Sequence, residues 1–181
     1  MPMQNDSGYN PAKLSVSYKK FYQIRKMLGL SFSQKIYYDM KFELLATAMK
    51  FGDTQPAVVY SVKPLVIAAY SDEFDAVVFL TFSDELAETY KLEPGTRLTT
   101  SNLYDAEGDL ADDIIPGEGY TRRFTDLIPV VQLFFGKKDD KIMKNTELFD
   151  ESVWSLVSQK AEEYAKTGKN RNGFFYCIKQ K

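Results

Sequence analysis

Apolar side chains fill two runs near the middle of the chain, Leu65–Tyr70 and Ala76–Phe82, with almost no alternation between faces. Both are rich in β-branched and aromatic residues, as is the shorter run Ala57–Val62 just before them. Runs of this kind read as strands whose sheet is covered on both sides. Only Ser71-Asp72-Glu73-Phe74-Asp75 separates the two main runs, too little chain for a crossover helix, so they pair antiparallel.

Helical spacing flanks this centre. Tyr18, Phe21, Tyr22 and Leu28 predict a helix over 18–28, broken by Gly29. Tyr37, Met40, Leu44, Ala48 and Phe51 predict one long helix over 33–51, with Gly52 as its stop. Phe149, Val153, Leu156, Val157, Ala161 and Tyr164 predict another over 148–167, with Trp154 off the centre of its stripe. Ser83 followed by acids starts a short helix that ends near Tyr90, and Pro94-Gly95 fits a type II turn. Further strands are expected at 97–103, 120–124, 127–135 and 174–178, the third with Pro129 pushing it toward an edge. The prediction is an α+β fold: a largely antiparallel sheet of five to seven strands covered by two long helices. Residues 1–12 are expected to form a flexible arm and 13–181 a single domain.

Composition narrows the chemistry. The 181 residues contain no histidine, which removes imidazole bases and histidine metal sites, and the single Cys177 cannot form an intramolecular disulfide. Cys177, within an aromatic run, reads as a small buried hydrophobe. No apolar run is long enough to span a membrane, and the expectation is a soluble cytoplasmic protein. Charge is segregated: residues 1–50 carry 8 basic and 3 acidic side chains, residues 51–120 carry 3 and 14, and residues 121–181 carry 12 and 8. The balance +5 − 11 + 4 gives the net −2. Segregation of this sort marks either a binding end for a charged partner or two surfaces that attract within the fold.

Three stretches carry candidate chemistry. The loop 104–119 holds Asp105, Glu107, Asp109, Asp112 and Asp113, oxygen ligands of the type that Ca2+ or Mg2+ takes. It departs from an EF-hand loop, with Leu110 where a glycine belongs and Pro116 where a bidentate glutamate belongs, and a solvated acidic loop is the plainer explanation. Arg122 and Arg123, after Pro116-Gly-Glu-Gly, are candidate anion ligands, although neighbours on a strand point to opposite faces. The turn Ser71–Asp75 supplies carboxylates that become an acid–base pair if another carboxylate stands nearby; local turn hydrogen bonds are the plainer explanation. No catalytic residue is assigned. Tyr104, Tyr120 and Trp154 are the aromatics that core packing does not obviously absorb, and they are candidates for a partner surface.

The leading expectation is a non-enzymatic cytoplasmic binding or regulatory module acting through a protein–protein surface, with no cofactor. The alternative is a carboxylate- or divalent-metal-dependent enzyme or sensor using the acidic loop. A third is nucleic-acid binding through the basic N-terminal helices, which resemble a helix-turn-helix only loosely.

Overall fold

The computed structural model describes residues 9–174. Its frame is a six-stranded mixed sheet made of β1 (Asp53–Val62), β2 (Leu65–Ser71), β3 (Ala76–Phe82), β4 (Arg97–Asp105), β5 (Asp126–Val131) and β6 (Arg171–Asn172), in the order β5-β4-β1-β2-β3-β6. All neighbours are antiparallel except β3 and the two-residue β6. The two central apolar runs are β2 and β3, in continuous register from Leu65 opposite Phe82 to Ser71 opposite Ala76. Pro129 lies in the outermost strand, β5, where a missing amide donor costs no ladder bond.

Each face of the sheet has its own cover. Val58, Val66, Ala68, Val77 and Phe79 point to the face occupied by α7 (Glu151–Ala165), which buries Trp154, Val157, Ala161 and Tyr164 there. Asp150 caps that helix by accepting from the Ser152 and Val153 amides. The opposite face carries the larger core, built on Ala57, Val59, Leu65, Ile67, Ala69, Val78 and Leu80. It is covered by α1 (Tyr18–Met27), α2 (Phe32–Asp39), α3 (Phe42–Phe51), α4 (Asp84–Tyr90), α5 (Gln132–Phe135) and α6 (Asp139–Lys144). No helix among the described residues is long and apolar enough to cross a membrane.

Several elements differ from the sequence pattern, each for a tertiary reason. The helix expected over 33–51 is two helices. The Lys41 amide turns back to the Tyr38 carbonyl at 3.0 Å, a tighter i→i−3 bond, between the end of α2 at Asp39 and the start of α3 at Phe42. The break lets Tyr38 stack on Phe21, with its hydroxyl donating to the Phe21 carbonyl at 3.0 Å. Phe42 meanwhile turns onto Tyr18 and Phe21. The buried line is consequently Tyr38, Leu45, Ala48 and Met49, whereas Met40 and Phe51 face outward. Gly52 does end α3, but through close packing: a Cβ there would stand 2.5 Å from the Ala48 carbonyl oxygen.

The run expected as a strand over 127–135 becomes β5 followed by the helical turn α5, which buries Gln132 in a polar network. Residues 120–124 form no strand; Thr121 and Arg123 instead bond Glu73 at the surface. Gly95, with φ +89°, takes the left-handed position of the expected type II turn, and the Thr96 amide donates to the Glu93 carbonyl at 3.0 Å. Residues 9–12 are tied down through the Asn10 amide on Asp53 and the Ala12 amide on the Gly52 carbonyl. The expected strand over 174–178, with Cys177, lies outside the described residues apart from Phe174.

Candidate functional site

Two places in this frame depart from ordinary packing. One is polar and buried; the other is apolar and exposed.

The polar place is the end of the central strands. Along β1 and β4 the register sets Ala57 opposite Leu98, Gln55 opposite Thr100 and Asp53 opposite Asn102. Side chains two apart share a face, so Asp53, Gln55 and Asn102 continue the very face that Ala57 and Leu98 turn to the core. Asp53 is 6% exposed and Asn102 1%. The Gln55 amide donates to Asp53 Oδ2 at 2.7 Å, and the Asn10 amide donates to Asp53 Oδ1 at 2.8 Å. Asn102 donates from Nδ2 to the Tyr70 carbonyl at 3.0 Å, and the Ser71 and Tyr104 hydroxyls pair at 3.2 Å.

The turn after β2 brings Asp72 into this group. Burial holds its carboxyl above the usual carboxylate range, and the nearby charges of Asp53 and Glu73 push the same way, against stabilising hydrogen bonds from the Glu73 backbone and Gln55. Asp53 is raised chiefly by burial, with Glu73 adding a smaller push. The neighbouring Tyr70 and Tyr104 hydroxyls are also held well above a normal tyrosine, mainly by burial. Two acceptor oxygens here, Asp72 Oδ1 and Asn102 Oδ1, are buried with no hydrogen-bond donor among the described residues. Asp72 of the turn and Asp53 of β1 influence one another as like charges. The signal was already in the sequence as Asp53-Thr54-Gln55, a polar start to an otherwise apolar strand.

The loop 104–125 folds onto this turn. Glu73 binds the Arg123 guanidinium and accepts from the Thr121 hydroxyl at 2.6 Å. Asp75 accepts from the Gly119 amide at 3.1 Å and from the Tyr70 hydroxyl at 3.3 Å, and pairs with Lys160 at 3.0 Å. Gly117 donates to the Phe74 carbonyl at 3.0 Å, and a Cβ on it would stand 2.4 Å from the Asp75 carbonyl oxygen. Arg122 takes a left-handed backbone with φ +63° and is exposed, so the two arginines do not converge. Tyr120 stacks on Phe74 and Tyr104 on Phe124, both partly buried, and Trp154 is only 3% exposed inside the α7 core. The acidic residues of the loop separate as well. Asp113 binds Arg171, Asp105 accepts from the Glu107 amide at 2.9 Å, and Asp109 faces solvent. Among the described residues, no three or more acidic or cysteine side chains stand together as a metal would require.

The apolar place is the outer surface of α1 and α2. Ser31 and Gln34 form a capping box that starts α2, and Tyr38 is its one fully buried side chain. Phe32, Ile36 and Met40 follow at four-residue spacing on the outer face, 79%, 49% and 69% exposed. Tyr18 and Tyr22 of α1 are likewise more than half exposed. Cations surround them: Lys41 lies over the Tyr37 ring at 4.8 Å, and Lys19, Lys26 and Lys35 stand on the same two helices. Residues 18–42 hold six basic side chains and one acidic, Asp39, which pairs with Arg25 at 2.8 Å. Beside this surface, α1 and α4 flank a groove of about 410 Å³ lined by Ile24, Met27, Leu86 and Tyr90.

No protein-family model, no curated protein and no solved structure matches the chain.

Proposed function

We propose that this chain is a non-enzymatic binding module that holds an acidic, amphipathic segment of another protein on the outer face of α1 and α2. The observation that carries the reading is the solvent-facing row Phe32, Ile36 and Met40. A helix normally turns such a row into its own core, and contiguous exposed apolar surface of this kind marks an interaction site. The charge count of six basic side chains to one acidic over residues 18–42 favours an acidic partner, whose carboxylates would meet Lys19, Lys26, Lys35 and Lys41 around the apolar row. Large apolar anchors at helical spacing fit the mode in which one amphipathic helix is laid along another surface.

The experiment places a photo-crosslinking phenylalanine analogue at position 36 and identifies the captured peptide by mass spectrometry. The expected product is a recurrent acid-rich segment bearing apolar residues, whose yield falls with salt and disappears in Phe32→Ser/Met40→Ser. The double variant should melt at the wild-type temperature, since neither side chain is buried. Captured segments without acidic character, flotation with anionic lipid vesicles that the double variant loses, or a marked drop in melting temperature would each overturn the reading.

A further inference from the structure

We propose that the groove between α1 and α4 is a docking site for this chain's own residues 175–178, Phe-Tyr-Cys-Ile, which follow β6. The groove takes Lys20, Gln23, Ile24 and Met27 of α1, one helical stripe, whereas Tyr18 and Arg25 turn to α3 and α2. The inference thus concerns the other flank of α1 and does not depend on the partner proposed for the α2 row.

β6 delivers the chain to one end of this groove. The Gly173 amide donates to the Thr81 carbonyl at 2.8 Å, and a Cβ on Gly173 would stand 2.3 Å from the Phe82 ring. The chain is therefore held tightly against β3 as it leaves the sheet. Phe174 then packs edge-on to Phe82, with ring centroids 5.0 Å apart, in a cleft that Met27, Leu28 and Ser83 also line. Met27 lines the groove as well, and Ser83 is the N-cap of α4, so the cleft opens onto the groove. The floor is continuous too. Phe82 packs on Phe134 at 5.0 Å and Phe134 on Tyr90 at 5.5 Å, which carries one aromatic layer from Phe174 to the far end of the groove.

Length and chemistry select the occupant. From Met27 back to Lys20 the α1 axis covers about 10 Å, and four residues beyond Phe174 reach at most about 14 Å. Phe175, Tyr176, Cys177 and Ile178 bring an unbroken run of apolar side chains, and Ile24, Met27, Leu86 and Phe134 offer apolar walls. A segment tethered at the mouth of a groove enters it at high effective concentration, with little loop entropy to lose, and both surfaces leave water together.

The test exploits the single cysteine of the chain. Gln23→Cys, an exposed position in the groove wall, is combined with the native Cys177 in the full chain and oxidised by copper–phenanthroline in air. Gln23 lies about 6 Å along the axis from Met27, and Cys177 reaches at most about 11 Å from Phe174, so a seated segment brings the two thiols into bonding range. A disulfide within one molecule is expected, read as a linked peptide by mass spectrometry and as faster migration on a non-reducing gel. Tyr22→Cys, the exposed neighbour outside the groove lining, should stay reduced under the same conditions. Adding Phe175→Ser/Ile178→Ser to Gln23→Cys should lower the yield severalfold, with far-UV circular dichroism unchanged. The proposal fails if Gln23→Cys forms no link, or if Tyr22→Cys links equally well. It fails also if the link joins two molecules, which would make a second copy the occupant, or if the double serine variant links as readily as its parent.

Discussion

Neutralising Asp72 should stabilise the protein, which is the reverse of what removing a hydrogen-bonding group normally does. The carboxyl is raised by burial first, and then by Asp53 and Glu73. Its folded form thus holds a proton more tightly than the unfolded chain, and between the two titrations the folded state binds more protons. Stability accordingly falls as pH rises from the ordinary aspartate range through the folded value, and the penalty is fully present above it. Asp72→Asn deletes the charge and replaces one carboxylate oxygen by a donor at a place with an orphaned acceptor, Asn102 Oδ1. An unsatisfied buried acceptor costs about 1–3 kcal/mol, and because Asp72 keeps some solvent the lower half of that range is expected. For a chain of this length, about 1–2 kcal/mol corresponds to about 2–8 °C in melting temperature. Thermal melts at pH 7 and near pH 4 measure it: the gain should be present at pH 7 and shrink at the acid end. A variant less stable than wild type at pH 7, or a gain that does not depend on pH, would refute the electrostatic account. Asp75→Asn is the contrasting control, since Asp75 is served by Tyr70, Gly119 and Lys160 and its neutralisation should destabilise.

Three further substitutions check the frame around that site. Gly117→Ala forces a methyl against the Asp75 carbonyl oxygen, where only 2.4 Å is free, so urea titration should show a loss of about 1–3 kcal/mol. Arg171→Met leaves Asp113 and Asp126 without the guanidinium that also donates to the Leu127 carbonyl at 3.2 Å; a loss of about 3 kcal/mol is expected, and a loss within measurement error would discount the pair. Val157→Ala removes a fully buried side chain that joins α7 to the sheet and should cost about 1–2 kcal/mol, read as a lower urea midpoint at constant slope.

What the sequence revealed and what it concealed divide along a physical line. The central strands were legible because Leu65–Tyr70 and Ala76–Phe82 are short, apolar at nearly every position, rich in β-branched and aromatic residues and separated by a five-residue polar turn, which together decide for strand over buried helix. The α2–α3 break was not, since nothing between Met40 and Phe42 breaks a helix by propensity; the break is set by where Tyr38 finds Phe21, a contact seventeen residues away. The same cause moved the buried stripe from Tyr37 and Leu44 to Tyr38 and Leu45, with Ala48 kept as expected, and hid the outward row of Phe32, Ile36 and Met40. Trp154 illustrates the converse: it lies off the stripe's centre, yet its ring is buried and its Nε1 donates to the Phe149 carbonyl at 3.1 Å. The acidic loop drew notice through its density of carboxylates, but density in sequence is not convergence in space, because Asp113 is bound to Arg171 and Asp105 to a local amide.

The polar sheet end and the outward row of α2 share one logic. A sheet end that continues the core face with Asp53, Gln55 and Asn102, and adds Asp72, lowers stability relative to aliphatic residues at the same positions. An apolar row left in water on α2 likewise contributes nothing to folding. Each breaks the rule that the rest of the molecule keeps, and breaks it in the opposite direction: acceptors with no donor inside, hydrophobes with no cover outside. A partner that covers the second removes its penalty, and proton uptake by Asp72 eases the first. That is why the outward row is better read as a site than as imperfect packing.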